Sequence, residues 1–239
     1  MEIDDPVLAA GQVVEENFPG CRVAILSDGV LTARRTPTSD LDIVVVLDGP
    51  PAPYRETMRS HGWVVELFVH SRESLVEFYQ LDARNRRCSL ARMCCGHVIL
   101  DRSGEAADIQ TEAHSIIDAG PKPLSSAELE QRRYFLSDLL DDLRGAIDPT
   151  ETIFIASHLL EMAGTLLLMS EQRWTGTGKW LSRQLEEAGS GFAARFGDAF
   201  RTLSTESDKA PLVSIVESIL ESVGGPLTEG FSVGRHAPT

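Results

Sequence analysis

Neither a C-x-x-C pair among the four cysteines (Cys21, Cys88, Cys94 and Cys95) nor an H-x-x-x-H or H-x-H pair among the six histidines occurs in this chain. Those absences argue against a zinc site and against a disulfide framework, and the cysteines read as reduced, mostly buried thiols. No uninterrupted apolar run approaches the roughly 20 residues that span a bilayer. The acidic opening Met1-Glu2-Ile3-Asp4-Asp5 also lacks the basic n-region of a signal peptide, so a cytoplasmic chain without a membrane partner is expected. Positive charge is scarce: 22 Lys and Arg face 36 Asp and Glu, a formal net charge of −14. Binding to nucleic acid depends on neutralising phosphates with basic side chains, so a polyanionic partner is not expected. The acidic balance chiefly favours solubility and only mildly a cationic small molecule. Internal repeats and low-complexity segments are absent as well.

What is present is ordinary globular material, 42% hydrophobic and 24% charged over 239 residues, enough for one large or two ordinary domains. The first half alternates in period. Pro6 to Phe18 has helical spacing and ends at Pro19-Gly20. Cys21 to Leu26, Leu41 to Leu47, Trp63 to Val69 and His97 to Leu100 are short β-forming runs bounded by turn residues. Ser71 to Arg84 returns to helical spacing, with Leu75, Phe78, Tyr79 and Leu81 toward one side. Residues 1–120 therefore predict a mixed sheet with flanking helices.

Gly120-Pro121-Lys122-Pro123-Leu124 breaks this pattern, because two prolines separated by one residue resist both helix and ladder pairing. Beyond it the strand signal nearly vanishes. Ser125 with Glu128 predicts a capping box for a helix to about Ala146. Asp148-Pro149-Thr150-Glu151 predicts the start of a second helix, apolar on several faces from Ile153 to Met169 and suited to the centre of a bundle. Lys179 or Trp180 to Ala188 and Ala210 to Ser222 supply two more helices. The expected organisation is α+β: a sheet domain at 1–120, a helical bundle at 125–222 and an irregular tail at 223–239, with homodimerisation through the bundle left open.

Chemistry concentrates at Ser39-Asp40-Leu41-Asp42-Ile43-Val44-Val45-Val46. Side chains alternate along a strand, so Asp40 and Asp42 project from one face while Leu41 and Ile43 project from the other. Paired hard oxygen ligands suit Mg²⁺, although an aspartate at a strand entrance is by itself more often turn chemistry. Glu66 sits among apolar residues in Trp63-Val64-Val65-Glu66-Leu67-Phe68-Val69 and must face solvent or find a partner. If the two strands are neighbours, it converges on the pair as a third ligand. Ser27-Asp28-Gly29 forms a small-residue turn after the first strand, and Trp174-Thr175-Gly176-Thr177-Gly178-Lys179-Trp180 combines glycines, hydroxyls and a lysine at a helix start. That second stretch suits a phosphate group, or equally an inter-helix loop with two tryptophans packed beneath it. Arg92 and His97 stand in an R-x4-H spacing that is read as coincidence.

Together these residues resemble the nucleotidyltransferase superfamily, whose members carry a Gly-Ser turn, a D-x-D or D-x-E pair about eleven residues later, and a third acidic residue on a following strand. Gly29 and Asp40 are eleven positions apart, and Ser39-Asp40-Leu41-Asp42 matches the acidic element. The Glu66 strand and the order of sheet domain before helical bundle are similar to kanamycin nucleotidyltransferase and other antibiotic adenylyltransferases. Asp28-Gly29 stands where that superfamily has Gly-Ser, which puts a negative charge near phosphate unless Ser27 takes over the hydroxyl contact. The resemblance implies transfer of a nucleoside monophosphate, AMP from ATP, to a hydroxyl of a small, aminoglycoside-like acceptor. It implies two Mg²⁺ ions on Asp40, Asp42 and Glu66, nucleotide contacts from Ser27, Gly29, Ser39 and Lys179, and a proton acceptor on the acidic helix face at Asp142. Two alternatives remain: a catalytically impaired member that binds a nucleotide or a protein, and a toxin-like enzyme that modifies protein or tRNA.

Overall fold

The computed structural model describes residues 2–189 and 191–234. The chain divides into two compact units, Met1–Gly120 and Pro121–Thr239.

The first unit is built on a five-stranded mixed sheet. Its strands are β1 (Val23–Leu26), β2 (Leu41–Leu47), β3 (Tyr54–Ser60), β4 (Trp63–Ser71) and β5 (His97–Asp101), in the order β3-β4-β2-β1-β5. Strands β2 and β4 run parallel, whereas β1 pairs antiparallel with both β2 and β5, and β3 pairs antiparallel with β4. The central strands are rich in Val, Ile and Leu because both faces of the sheet are covered. Helix α1 (Pro6–Asn17) begins at Asp5, whose Oδ1 accepts the amides of Val7 and Leu8 at 2.8 and 3.0 Å, with Pro6 pre-set for the first turn. It lays Ala9, Ala10, Val13 and Val14 into a core with Leu41, Ile43, Val45, Val65, Leu67 and Val69. On the opposite face, α2 (Arg72–Arg84) packs against β4 and α3 (Ser89–Cys94) against β1 and β2, and α4 (Ala106–Ala119) packs on α3.

Three elements of this unit exceed the periodicity reading. Strand β3 is an edge strand whose sequence, Tyr-Arg-Glu-Thr-Met-Arg-Ser, offers only Tyr54 and Met58 to the core. A half-solvated edge tolerates such polarity, and His61 and Gly62, with φ of 51° and 90°, form the two-residue connection to β4. The helices α3 and α4 lacked a long apolar stripe, one being a six-residue helix and the other started by Asp101, which accepts the amides of Gly104, Glu105 and Ala106. Phe78 and Leu81 of α2 remain 40% and 50% exposed, so only Leu75 and Tyr79 of the expected stripe are core. Between α3 and β5, Gly96 lets the chain pass so close to β1 that a Cβ there would lie 2.1 Å from the Leu26 carbonyl oxygen.

The second unit is helical: α5 (Ser126–Gly145), α6 (Pro149–Ser170), α7 (Lys179–Glu187), α8 (Phe192–Glu206) and α9 (Ala210–Ser222). Ser125 and Glu128 form the expected capping box of α5, and the Asp148 carboxylate accepts the amides of Thr150 and Glu151 at the start of α6. Helix α6 packs against the other four helices, with Ala156, Leu159, Ala163 and Leu166 to Leu168 buried. Its length and a mean hydropathy of 1.6 over 18 residues are those of a membrane span, yet half of that window is buried within the bundle. Helix α8 is a correction to the four-helix reading. Gly189, Gly191 and the interior Gly197 obscured a pattern in which Phe196, Ala199 and Leu203 are buried at helical spacing. The tail as far as Phe231 lies on α5: Arg133 donates to the carbonyls of Gly224 and Gly225, Ser137 Oγ accepts the Leu227 amide at 3.0 Å, and Tyr134 stacks on Phe231 with centroids 4.2 Å apart. The rest of the predicted tail lies outside the described residues.

Candidate metal centre

The parallel pairing of β2 with β4 places Asp42 directly opposite Glu66, with Leu41 opposite Val65 and Ile43 opposite Leu67. Side chains of directly paired residues share a face, so the two carboxylates stand side by side, and Asp40, two residues before Asp42, adds a third. One oxygen from each of Asp40, Asp42 and Glu66 can be chosen so that all lie within 4.8 Å of one another, and all three residues are half-buried. Farther along the same face Val44 and Val46 are fully buried, so the carboxylates mark the end of the strands that the helices leave open.

Such a cluster is electrostatically costly. Two unit charges at 4.8 Å repel by about 3 kcal/mol at an effective dielectric constant of about 20. Burial, then the charges of Asp40 and Glu66 and a hydrogen bond shared with Glu66, push the Asp42 carboxyl up to about 7, with Arg55 acting in the opposite direction. The donor set is all oxygen, acidic and convergent. It therefore fits a hard divalent cation such as Mg²⁺, whose charge would replace the shared proton as the force holding the three groups together.

Arg55 is the residue that sequence reasoning missed. From β3 its Nη2 donates to Glu66 Oε2 at 2.5 Å, and its guanidinium lies 4.7 Å over the Phe68 ring. Strand alternation places Arg55, Thr57 and Arg59 on the face of Glu66, because they pair with Phe68, Glu66 and Val64. Nothing in an isolated Tyr-Arg-Glu-Thr signalled this, since the edge strand itself was not visible.

The other candidate residues fall in different places. Ser27 immediately precedes a short 3-10 turn (Asp28–Leu31) and makes no capping bond with its side chain; its amide donates to the Asp42 carbonyl at 2.8 Å, which ties the turn to the acidic strand. Asp28 and Gly29 are exposed, and apart from its chain neighbours no described residue comes within 4 Å of where a Gly29 Cβ would stand. Ser39 is engaged locally: its Oγ accepts the Thr36 amide at 2.9 Å and closes the turn that delivers Asp40. Asp142 and Lys179 belong to the second unit, Asp142 exposed on α5 and Lys179 exposed at the first position of α7. In the loop before α7, Trp174 and Thr175 are buried, but Trp180 is 45% exposed beneath the Arg183 guanidinium at 4.7 Å, so only one of the two tryptophans packs under the loop.

No family model and no curated protein matches the chain. Among solved structures it is similar to a nucleotidyltransferase-like protein from Exiguobacterium sibiricum, with 12% identity and a TM-score of 0.45 over 91% of this chain and 75% of that one. A likeness so loose decides neither family nor chemistry, and nothing in it speaks for the antibiotic-modifying branch.

Proposed function

We propose that this protein is a metal-dependent nucleotidyltransferase that moves a nucleoside monophosphate from a nucleoside triphosphate, ATP in the simplest case, to a hydroxyl of a small acceptor. The observation that carries the reading is the convergence of Asp40, Asp42 and Glu66 across the parallel β2–β4 pair, joined to the eleven-residue spacing from the Gly29 turn. Bound Mg²⁺ would supply charge neutralisation at the triphosphate and at the leaving pyrophosphate and would acidify the acceptor hydroxyl.

The chain's own groups then divide the remaining work. Asp40, Asp42 and Glu66 would hold the metal, Glu66 once Arg55 yields its Oε2. The Ser27 hydroxyl and the open backbone at Gly29 border the phosphates. Ser39 contributes by shaping the entry to Asp40.

Binding without turnover is the second reading, favoured by the exposed Asp28 beside the phosphate turn and by the Arg55–Glu66 pair, which competes with a cation for the third ligand. Both readings are tested by titrating the metal-free full chain with Mn²⁺ by electron paramagnetic resonance, with and without ATP, and by following pyrophosphate release. Mn²⁺ binding that ATP strengthens and Asp42→Asn abolishes supports a metal-nucleotide site, and pyrophosphate release separates transfer from mere binding. If neither Mn²⁺ nor any Mg²⁺-nucleoside triphosphate raises the melting temperature, the reading is wrong.

A further inference from the structure

On the face that carries Glu66, β4 continues through Phe68 and His70 at two-residue intervals, a line leading about 7 Å per step away from the carboxylates. Phe68 and His70 are two walls of a cavity of about 370 Å³ in the first unit, closed by Arg55 of β3, Phe78 of α2 and Met93 of α3. That volume takes a body of one or two rings. Its surface is aromatic and thioether rather than acidic: the rings of His70 and Phe78 meet edge to face with centroids 4.9 Å apart, and Phe78 is 40% exposed at the opening. Asp82 is the one acidic residue of the lining, and its Oδ2 is engaged by the Leu90 amide at 3.0 Å. Arg55 borders both regions at once, bonded to Glu66 and lying over Phe68, so cavity and carboxylates are contiguous.

The sheet order supplies the direction. The turn Asp28–Leu31 follows β1, on one flank of β2, while Glu66, Arg55 and the cavity lie on the other flank, with Asp40 and Asp42 between. In an in-line displacement the incoming oxygen and the leaving pyrophosphate lie on opposite sides of the phosphorus. A triphosphate held at the β1 turn therefore receives its nucleophile from the β4 flank.

We infer that this cavity seats the acceptor, and that the acceptor is a hydroxyl compound with a planar, largely apolar body rather than a polycation. The inference rests on the transfer reading above and names its acceptor class. The acceptor oxygen bonds to the α-phosphorus as the bond from that phosphorus to the bridging oxygen breaks. The electron pair departs with pyrophosphate, and the hydroxyl proton passes to a carboxylate. A polycation entering the cavity would lose its hydration beside the Arg55 guanidinium and against aromatic walls, which disfavours it.

The test uses the full chain with Mn²⁺, ATP and 2-naphthol as probe, with kanamycin in parallel. Naphthol fluorescence reads binding, phosphorus NMR reads transfer, and Mn²⁺ resonance reads the metal site independently. The expected result is that naphthol binds and is adenylated, that Met93→Trp, which fills the cavity, raises its Kd at least tenfold, and that Mn²⁺ binding is unchanged. Phe78→Ala, at a half-exposed position whose change the fold tolerates, is expected to raise the Kd about fivefold. Naphthol binding insensitive to both variants overturns the assignment, as does kanamycin transfer by the wild type and Met93→Trp alike with naphthol untouched. Failure of the wild type to bind Mn²⁺ instead overturns the transfer reading, and the acceptor assignment with it, even where naphthol binding still responds to Met93→Trp.

Discussion

Replacing Asp42 by asparagine is expected to stabilise the metal-free protein at pH 8 and to leave it nearly unchanged at pH 4. The Asp42 carboxyl moves from its usual 3.8 to about 7 on folding because burial and the charges of Asp40 and Glu66 disfavour ionisation. A folded-state pKa above the unfolded one makes a contribution to stability that is fully present below pH 4 and is lost as the pH rises through 7. Three pH units correspond to about 4 kcal/mol at full ionisation, and the repulsion of about 3 kcal/mol per neighbouring carboxylate is of the same order. Side-chain relaxation and water at the open strand end reduce the observable difference to about 2 kcal/mol, several degrees in melting temperature for a unit of this size. The asparagine keeps the shape, lacks the charge and is spared the loss. Millimolar Mg²⁺ should reverse the ranking at pH 8, because the wild type gains binding free energy that the asparagine variant cannot. Calorimetric scans of EDTA-treated protein at pH 4, 6 and 8, with and without Mg²⁺, measure all of this. An asparagine variant no more stable than the wild type at pH 8 without metal, or equally stabilised by Mg²⁺, would refute the electrostatic account of the cluster.

Removing the competing cation with Arg55→Ala should lower metal-free stability at pH 8 by about 1 kcal/mol and tighten Mn²⁺ binding several-fold, as read by resonance titration, since the guanidinium no longer holds Glu66 Oε2. Asp28→Ser removes an exposed negative charge beside the phosphate turn and is expected to strengthen Mg²⁺-ATP binding three- to tenfold by calorimetric titration; an unchanged Kd would place the triphosphate elsewhere. Gly96→Ala should destabilise the first unit by about 3 kcal/mol or more in urea, because its methyl would overlap the Leu26 carbonyl oxygen and only backbone displacement can relieve that.

Legibility followed the physical source of each feature. Capping is local chemistry, so Ser125 and Asp148 announced two helix starts that the structure has. Apolar strands announce themselves by composition, and β1, β2, β4 and the apolar edge strand β5 were readable within a residue or two. An edge strand need satisfy only one face, so β3 with Arg55 passed unseen, and glycines around α8 concealed a helix whose buried residues are unremarkable one by one. The loop before α7 was ambiguous for a similar reason, because burial of Trp174 but not of Trp180 depends on neighbours distant in sequence.

What the sequence by itself determined was the alternation that aims Asp40 and Asp42 at one face, since a strand's period of two is a property of the backbone alone. It determined equally that Glu66 would have to face solvent or find a partner. Only the tertiary structure decided who that partner is. Pairing β4 beside β2, parallel and in the register that sets Glu66 against Asp42, is a long-range choice made by the core packing of Leu41, Ile43, Val65 and Leu67 against α1. A slip of one residue in β4 would have turned Glu66 toward the opposite face, and the same choice brought Arg55, from a strand the sequence scarcely signals, to within 2.5 Å of the third ligand.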